Sequence, residues 1–195
     1  MEPSSLILIG ASTGGPGRIH TILSSLNPQF QSPIVIAQHM ALPFIPSFIK
    51  QLQSISPLPV KEIGEGILVK NGHIYVCAVT SHFVTKNGEI WLEPSEEKDY
   101  SYNPEINILF HSASSLNNCI RRLAIILTGI GDDGAQGSLA LHEAGSECYF
   151  ENEESATVFG MPRRSKELVE EAKTGNMSDI IAAIHQFGEK HVRMV

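Results

Sequence analysis

Three stretches of this chain are apolar and branched almost without a break: LILI at 6–9, PIVIA at 33–37 and LAIILT at 123–128. A strand with one wet face alternates apolar and polar residues, so an unbroken run needs cover on both faces. A parallel sheet between two layers of helices meets that need. A shorter run, ECYF at 147–150, reads as a further strand. Helical spacing fills the intervals. Behind Pro16, residues Ile19, Ile22, Leu23 and Leu26 share one face. Asn103-Pro104 reads as a cap and first turn, followed by Ile106, Leu109, Phe110, Ala113 and Leu116 at helical spacing. Helices are also expected over Ser138–Ala144, over Lys166–Ala172, and along MSDIIAAIHQF behind a Ser178 cap. The expected fold class is α/β, a doubly wound and mostly parallel sheet with helices on both faces.

Residues 60–93 break this rhythm. VKEI, GILV and HIYVCAV are short and β-rich, and FVTKNGEIWL reads as a hairpin turning at Asn87-Gly88. A small β-hairpin insertion is therefore expected. The polar, acidic stretch at 93–104 reads as an exposed loop. At 195 residues the chain suits one domain that buries roughly 70% of its unfolded surface without covalent staples.

Composition removes several function classes. With 14 basic against 21 acidic residues the chain carries −7, the wrong sign for a general nucleic-acid binder. Cys77, Cys119 and Cys148 are widely spaced, which argues against a disulfide framework or a cysteine-built zinc site and suits a reducing cytoplasm. No stretch approaches the ~20 apolar residues of a membrane span, and MEPSSLILIG lacks the basic start of a signal peptide. The expectation is a cytoplasmic protein that is not membrane-inserted.

Two glycine-rich turns follow the apolar runs. Gly10-x4-Gly15 has the spacing of a phosphate loop, but Pro16 and Gly17 stand where Lys and Ser/Thr would bind phosphates and magnesium. GIGDDG at 129–134 matches a dinucleotide fingerprint, and Glu151 has the offset of a ribose contact. Asp132 and Asp133 would nevertheless set two negative charges against a pyrophosphate. A second reading of the first turn is G-x-S-x-G, in which flanking glycines allow a sharp strand-to-helix turn and leave the Ser12 hydroxyl proud. Against it stands an ordinary βα turn with a capping serine.

A hydroxyl needs a neighbouring base to become a nucleophile at neutral pH. His39 ends the second apolar run, and Asp132 and Asp133 follow the third, so all three chemistries emerge at one edge of a parallel sheet. The remaining histidines lie in helices, turns, the hairpin or the polar tail. His82, at the start of the hairpin, is the one other candidate near such an edge.

IGASTGG, QHM and TGIGDDGAQG resemble the three signature blocks of the chemotaxis protein-glutamate methylesterase catalytic domain. HMALPFIPSFIKQL, NGHIYVCAVTSHF, NPEINILFHSAS and NEESATVFGMP agree in order, so the resemblance spans about residues 5–188. It implies a serine hydrolase that removes methyl groups from glutamates on bacterial methyl-accepting chemoreceptors and can deamidate receptor glutamines. The partners implied are the cytoplasmic helices of those receptors, and no metal or cofactor is implied. By the same resemblance Ser12 is the nucleophile, His39 the general base and Asp133 the catalytic carboxylate. Thr13 and Ile130 would position the nucleophile or its oxyanion, and Asp132 would be a solvated turn residue.

Ile130 departs from the family pattern, which has methionine there. The methylesterase block starts at residue 6, so 1–195 is expected to be one catalytic domain with no receiver domain. Arg18 and Arg163 are candidates for steering an acidic substrate. Two other readings stay open: a serine esterase with another protein substrate, and a non-catalytic adaptor on the same fold.

Overall fold

A computed structural model describes residues 3–97 and 99–189. In chain order the elements are β1 (Ser5–Ala11), α1 (Gly15–Ser25), β2 (Ile34–Gln38), α2 (Ile45–Ile55), β3 (Val60–Ile63), β4 (Ile67–Leu68), β5 (Ile74–Cys77), β6 (Ser81–Lys86), β7 (Glu89–Pro94), α3 (Ile106–Ser114), β8 (Arg121–Ile126), α4 (Ala135–Glu143), β9 (Glu147–Glu151), α5 (Gly160–Leu168), β10 (Lys173–Gly175) and α6 (Met177–Glu189). Seven strands form one sheet in the order β10-β9-β8-β1-β2-β5-β3, every pair parallel.

The unbroken apolar runs have the reason inferred from sequence. In β1, Leu6 and Leu8 face one core layer with Ile106, Leu109, Phe110 and Leu141, while Ile7 and Ile9 face another with Ile19, Ile22, Phe48 and Ile184. All seven residues of β1 and all five of β2 are buried, so neither strand has a wet face to alternate toward. The chain leaves β1 toward β2 on one side and leaves β8 toward β9 on the other. Such a reversal opens a crevice at the strands' C-terminal ends.

The β-rich insertion is larger than a hairpin and is shared between two sheets. β3 and β5 join the parallel sheet, while β4, β7 and β6 make a separate antiparallel sheet. The turn itself is as read, with Asn87 and Gly88 at φ 53° and 80°.

Other expectations shift. α5 occupies Gly160–Leu168 rather than 166–172, because the chain must turn extended in time for β10 to pair with β9. The Lys166 ammonium closes that end by donating to the Glu170 and Ala172 carbonyls. α6 is capped by Asn176, whose side-chain oxygen takes the Ser178 and Asp179 N–H groups at 2.8 and 3.1 Å. Ser178 lies inside the helix. Asn103-Pro104 is not a cap and first turn. It is a cis step ahead of α3, whose N-cap residue is Glu105. Nor is 93–104 an exposed loop throughout. Glu93 and Pro94 finish β7, Tyr102 and Asn103 are half-buried, and Pro104 is buried.

Candidate active site

The register of the sheet sets the first two side chains beside each other. Ala11 and Gln38 are the last pair between β1 and β2, so Ser12 and His39 step off the ladder together. Adjacent strands lie about 4.8 Å apart, within side-chain reach. Backbone bonds hold both exits: His39 N donates to Ala11 O at 2.9 Å and Ser12 N to Thr128 O at 2.9 Å. The buried Gln38 amide donates to the Ser12 and His39 carbonyls, each at 2.9 Å.

Around Ser12 the chain has no room to spare. Gly14, at φ 84°, ends the turn in the left-handed region that glycine adopts freely, and α1 begins at once. A Cβ on Gly129 would come within 2.7 Å of Ser12 Cβ, so the loop after β8 lies directly against the serine. The Thr128 hydroxyl ties the two loops together, donating to Thr13 O at 2.8 Å and accepting from Val158 N at 2.9 Å.

Asp133 approaches from that loop. Its carboxylate is fully buried and accepts three hydrogen bonds: Oδ2 from His39 Nε2 at 2.7 Å and Ile106 N at 2.7 Å, Oδ1 from Asn107 N at 2.8 Å. The last two donors are orphan N–H groups of the first turn of α3, where a negative charge is favoured. Asn107 returns the favour, its Oδ1 taking Gly134 N at 3.0 Å and Gly137 N at 2.8 Å at the start of α4. Each helix thus supplies or adjoins the side chain that caps the other.

This use of the imidazole fixes its polarity. Because Asp133 accepts, Nε2 is the donor, so in the neutral imidazole Nδ1 is the nitrogen with the free lone pair. The Ser12 hydroxyl makes no hydrogen bond among the described residues. In unliganded hydrolases the contact between nucleophile and base is often long and tightens with substrate.

The remaining expected residues occupy the same rim. Thr13 is exposed beside the serine, Ile130 stands 63% exposed on the β8 loop, and Asp132 is exposed at the loop's tip. Arg163 is exposed beside Ile130 and Gly131 and makes no ion pair among the described residues. Arg18 is not available for steering. It pairs with buried Glu151 at 2.9 Å and donates to the Ser155 carbonyl. Glu151 also accepts from Thr128 N at 2.9 Å and Ser155 Oγ at 2.7 Å, so it holds loops together. His82 lies in β6, paired with Glu93.

Sequence reasoning missed Tyr102. Its ring stacks on His39, with centroids 4.7 Å apart and planes 8° from parallel. No motif marks it, since it is an aromatic residue in an acidic stretch. Glu105 was missed as well. Its Oε2 accepts Tyr102 N at 3.1 Å, and desolvation, then the Asp133 charge, push its pKa up against the opposing pull of that hydrogen bond and of His39. Partial desolvation, then the Asp132, Asp133 and Glu105 carboxylates, likewise raise the Tyr102 phenol, so it stays protonated.

A doubly wound sheet with serine, histidine and aspartate converging where β1, β2 and β8 end has the layout of an α/β serine hydrolase. Comparison with known proteins narrows the class. The CheB methylesterase family model matches residues 7–184, and the chain belongs to that family. A protein-glutamate methylesterase/protein-glutamine glutaminase of Myxococcus xanthus is 35% identical over 164 residues, covering 83% of this chain and 47% of the relative. Its counterpart in Treponema denticola is 33% identical over 189 residues, covering 95% and 50%. The chain therefore spans about half the length of these curated relatives. The crystal structure of the Thermotoga maritima CheB methylesterase catalytic domain superimposes with a TM-score of 0.86 at 29% identity, covering 93% of this chain and 97% of that one.

Proposed function

We propose that this chain is a serine hydrolase that demethylates glutamate methyl esters on the cytoplasmic helices of bacterial chemoreceptors, in chemotaxis adaptation, and deamidates glutamines there. The observation that carries the reading is the pairing of buried Asp133 with half-buried His39 beside Ser12. His39 Nδ1 takes the Ser12 proton as Oγ adds to the ester carbonyl, and Asp133 stabilises the imidazolium. Backbone N–H groups beside Thr13 and Ile130 face the developing oxyanion. The tetrahedral adduct collapses, and methanol leaves with the proton from His39. Water, deprotonated by the same imidazole, then releases the free glutamate and restores Ser12. With a glutamine the leaving group is ammonia.

The rim supports a protein substrate over a small ester. Leu42, Phe44 and Ile130 are the large hydrophobic side chains that stand exposed among the described residues, at 58, 64 and 63%. Leu42 and Phe44 lie on a single 3-10 turn between β2 and α2, and Ile130 on the loop after β8. No described helix is long and apolar enough to cross a membrane. From the proposed substrate, the cytoplasmic helices of chemoreceptors, we infer a cytoplasmic enzyme, with residues 1–195 as one catalytic domain.

Two assays separate the possibilities. A fluorophosphonate should label Ser12 in an enzyme and leave an adaptor unmodified. Methanol release from methylated receptor cytoplasmic domains should identify the substrate. Labelling of Ser12 without methanol release would reject the chemoreceptor substrate while keeping the esterase.

A further inference from the structure

We propose that Tyr102 is a positioning residue whose ring face holds the His39 imidazole in the plane that aims Nδ1 at Ser12; this rests on the hydrolase reading above. A single hydrogen bond from Nε2 to Asp133 pins one edge of the imidazole and leaves the ring free to tilt about that bond. The parallel ring of Tyr102 4.7 Å away removes the tilt. The bond fixes where the ring is, and the stack fixes how it faces.

Tyr102 can serve as a platform because its own segment is fastened on several sides. Tyr102 N donates to Glu105 Oε2 at 3.1 Å, and Glu105 N donates to Thr80 Oγ1 at 2.9 Å. Asn103 O accepts Met40 N at 3.1 Å, and Asn103 Nδ2 donates to Ala78 O at 3.3 Å. These anchors lie just past His39 and past β5, so the platform and the base move as one body. At the far end, a Cβ on Gly131 would come within 2.7 Å of the Tyr102 hydroxyl oxygen. Gly131, at φ 93°, thus admits the phenol over the loop after β8. The ring spans from the imidazole to the loop that carries Ile130 and Asp133.

The face of the ring does this work, so phenylalanine should replace tyrosine and an aliphatic residue should not. The test uses the full chain as wild type, Tyr102→Phe and Tyr102→Leu, with Tyr102→Met in place of the leucine variant if that one does not fold. The rate at which a fluorophosphonate phosphonylates Ser12 is read by mass spectrometry, and the His39 ring protons by NMR. Phosphonylation joins Oγ to phosphorus, expels fluoride and passes the hydroxyl proton to His39, so it reports the serine–imidazole geometry without any receptor. Tyr102→Phe should label within about twofold of wild type and keep the upfield ring-current shift of the His39 protons. The aliphatic variant should label about 10- to 100-fold more slowly and lose that shift while remaining folded. An aliphatic variant that labels at the wild-type rate, or a phenylalanine variant as slow as the aliphatic one, would overturn the proposal. Wild-type protein that does not label at all would overturn the hydrolase reading, and the role of Tyr102 with it.

Discussion

The carboxylate of Asp133 orients His39 and at the same time terminates α3, so one substitution should affect both activity and stability. In Asp133→Asn the amide cannot accept from Ile106, Asn107 and His39 all together. An amide nitrogen facing the imidazole forces the ring proton onto Nδ1 and removes the lone pair that Ser12 needs. Turnover should fall about 10⁴-fold, and a buried donor left unpaired should cost about 1–3 kcal/mol of stability. Kinetics and denaturant unfolding on the same preparation check both figures. Glu105 makes a separate prediction about pH. Its folded-state pKa is raised from the usual 4.5, chiefly by desolvation and the Asp133 charge. The native state therefore holds that proton more tightly than the unfolded chain. The resulting stability is fully present below 4.5 and is lost as pH rises through the folded-state value. Glu105→Gln does not titrate, so its Tm should gain on wild type between pH 4 and pH 7. A pH-independent gap between the two melting curves would contradict this.

Among the elements, α3 and α4 depend on each other through Asn107. Asn107→Ala frees the Gly134 and Gly137 N–H groups and should cost about 1–2 kcal/mol, read from urea unfolding. If capping carries that cost, Asn107→Asp should recover most of it. The close contact of these helices also explains Gly137, where a Cβ would meet Phe110 Cβ at 2.5 Å. Strands such as β1 and β2 were legible because complete burial leaves a residue-level signature that no neighbour needs to supply. β10 was not: Lys-Thr-Gly carries no strand pattern, and pairing with β9 imposes its conformation. α5 starts six residues before the expected Lys166, with Gly160 and Pro162, poor helix formers, in its first turn. Ser12, His39 and the Asp132–Asp133 pair could be brought to one sheet edge because each follows an apolar run, whereas the choice of Asp133 over Asp132 came from the family resemblance. The stack of Tyr102 on His39 was not legible, since it arises where two remote segments pack together.

On the scale of the whole molecule, the sheet separates a chemical rim from a well-buried body, and the three cysteines report on that division. Cys77 in β5 and Cys148 in β9 are buried, their thiols both pushed up to about 12, chiefly by desolvation. Cys119 is exposed. Native protein at neutral pH should expose one fast-reacting thiol to a disulfide reagent, and denatured protein three. Fast modification of Cys148 would show that the sheet opens at its β9–β10 flank. Under the proposed function, the overall charge of −7 would leave recognition of an acidic receptor helix to local features of the rim. Exposed Arg163 beside apolar Ile130 is the feature placed to supply it.

Methanol release from a methylated chemoreceptor cytoplasmic domain, compared between wild type and Ser12→Ala, tests most directly whether this rim performs acyl transfer. Wild type should release methanol with turnover, and the alanine protein, correctly folded, should be about 10⁶-fold slower. Equal release from both proteins would contradict a serine nucleophile at position 12.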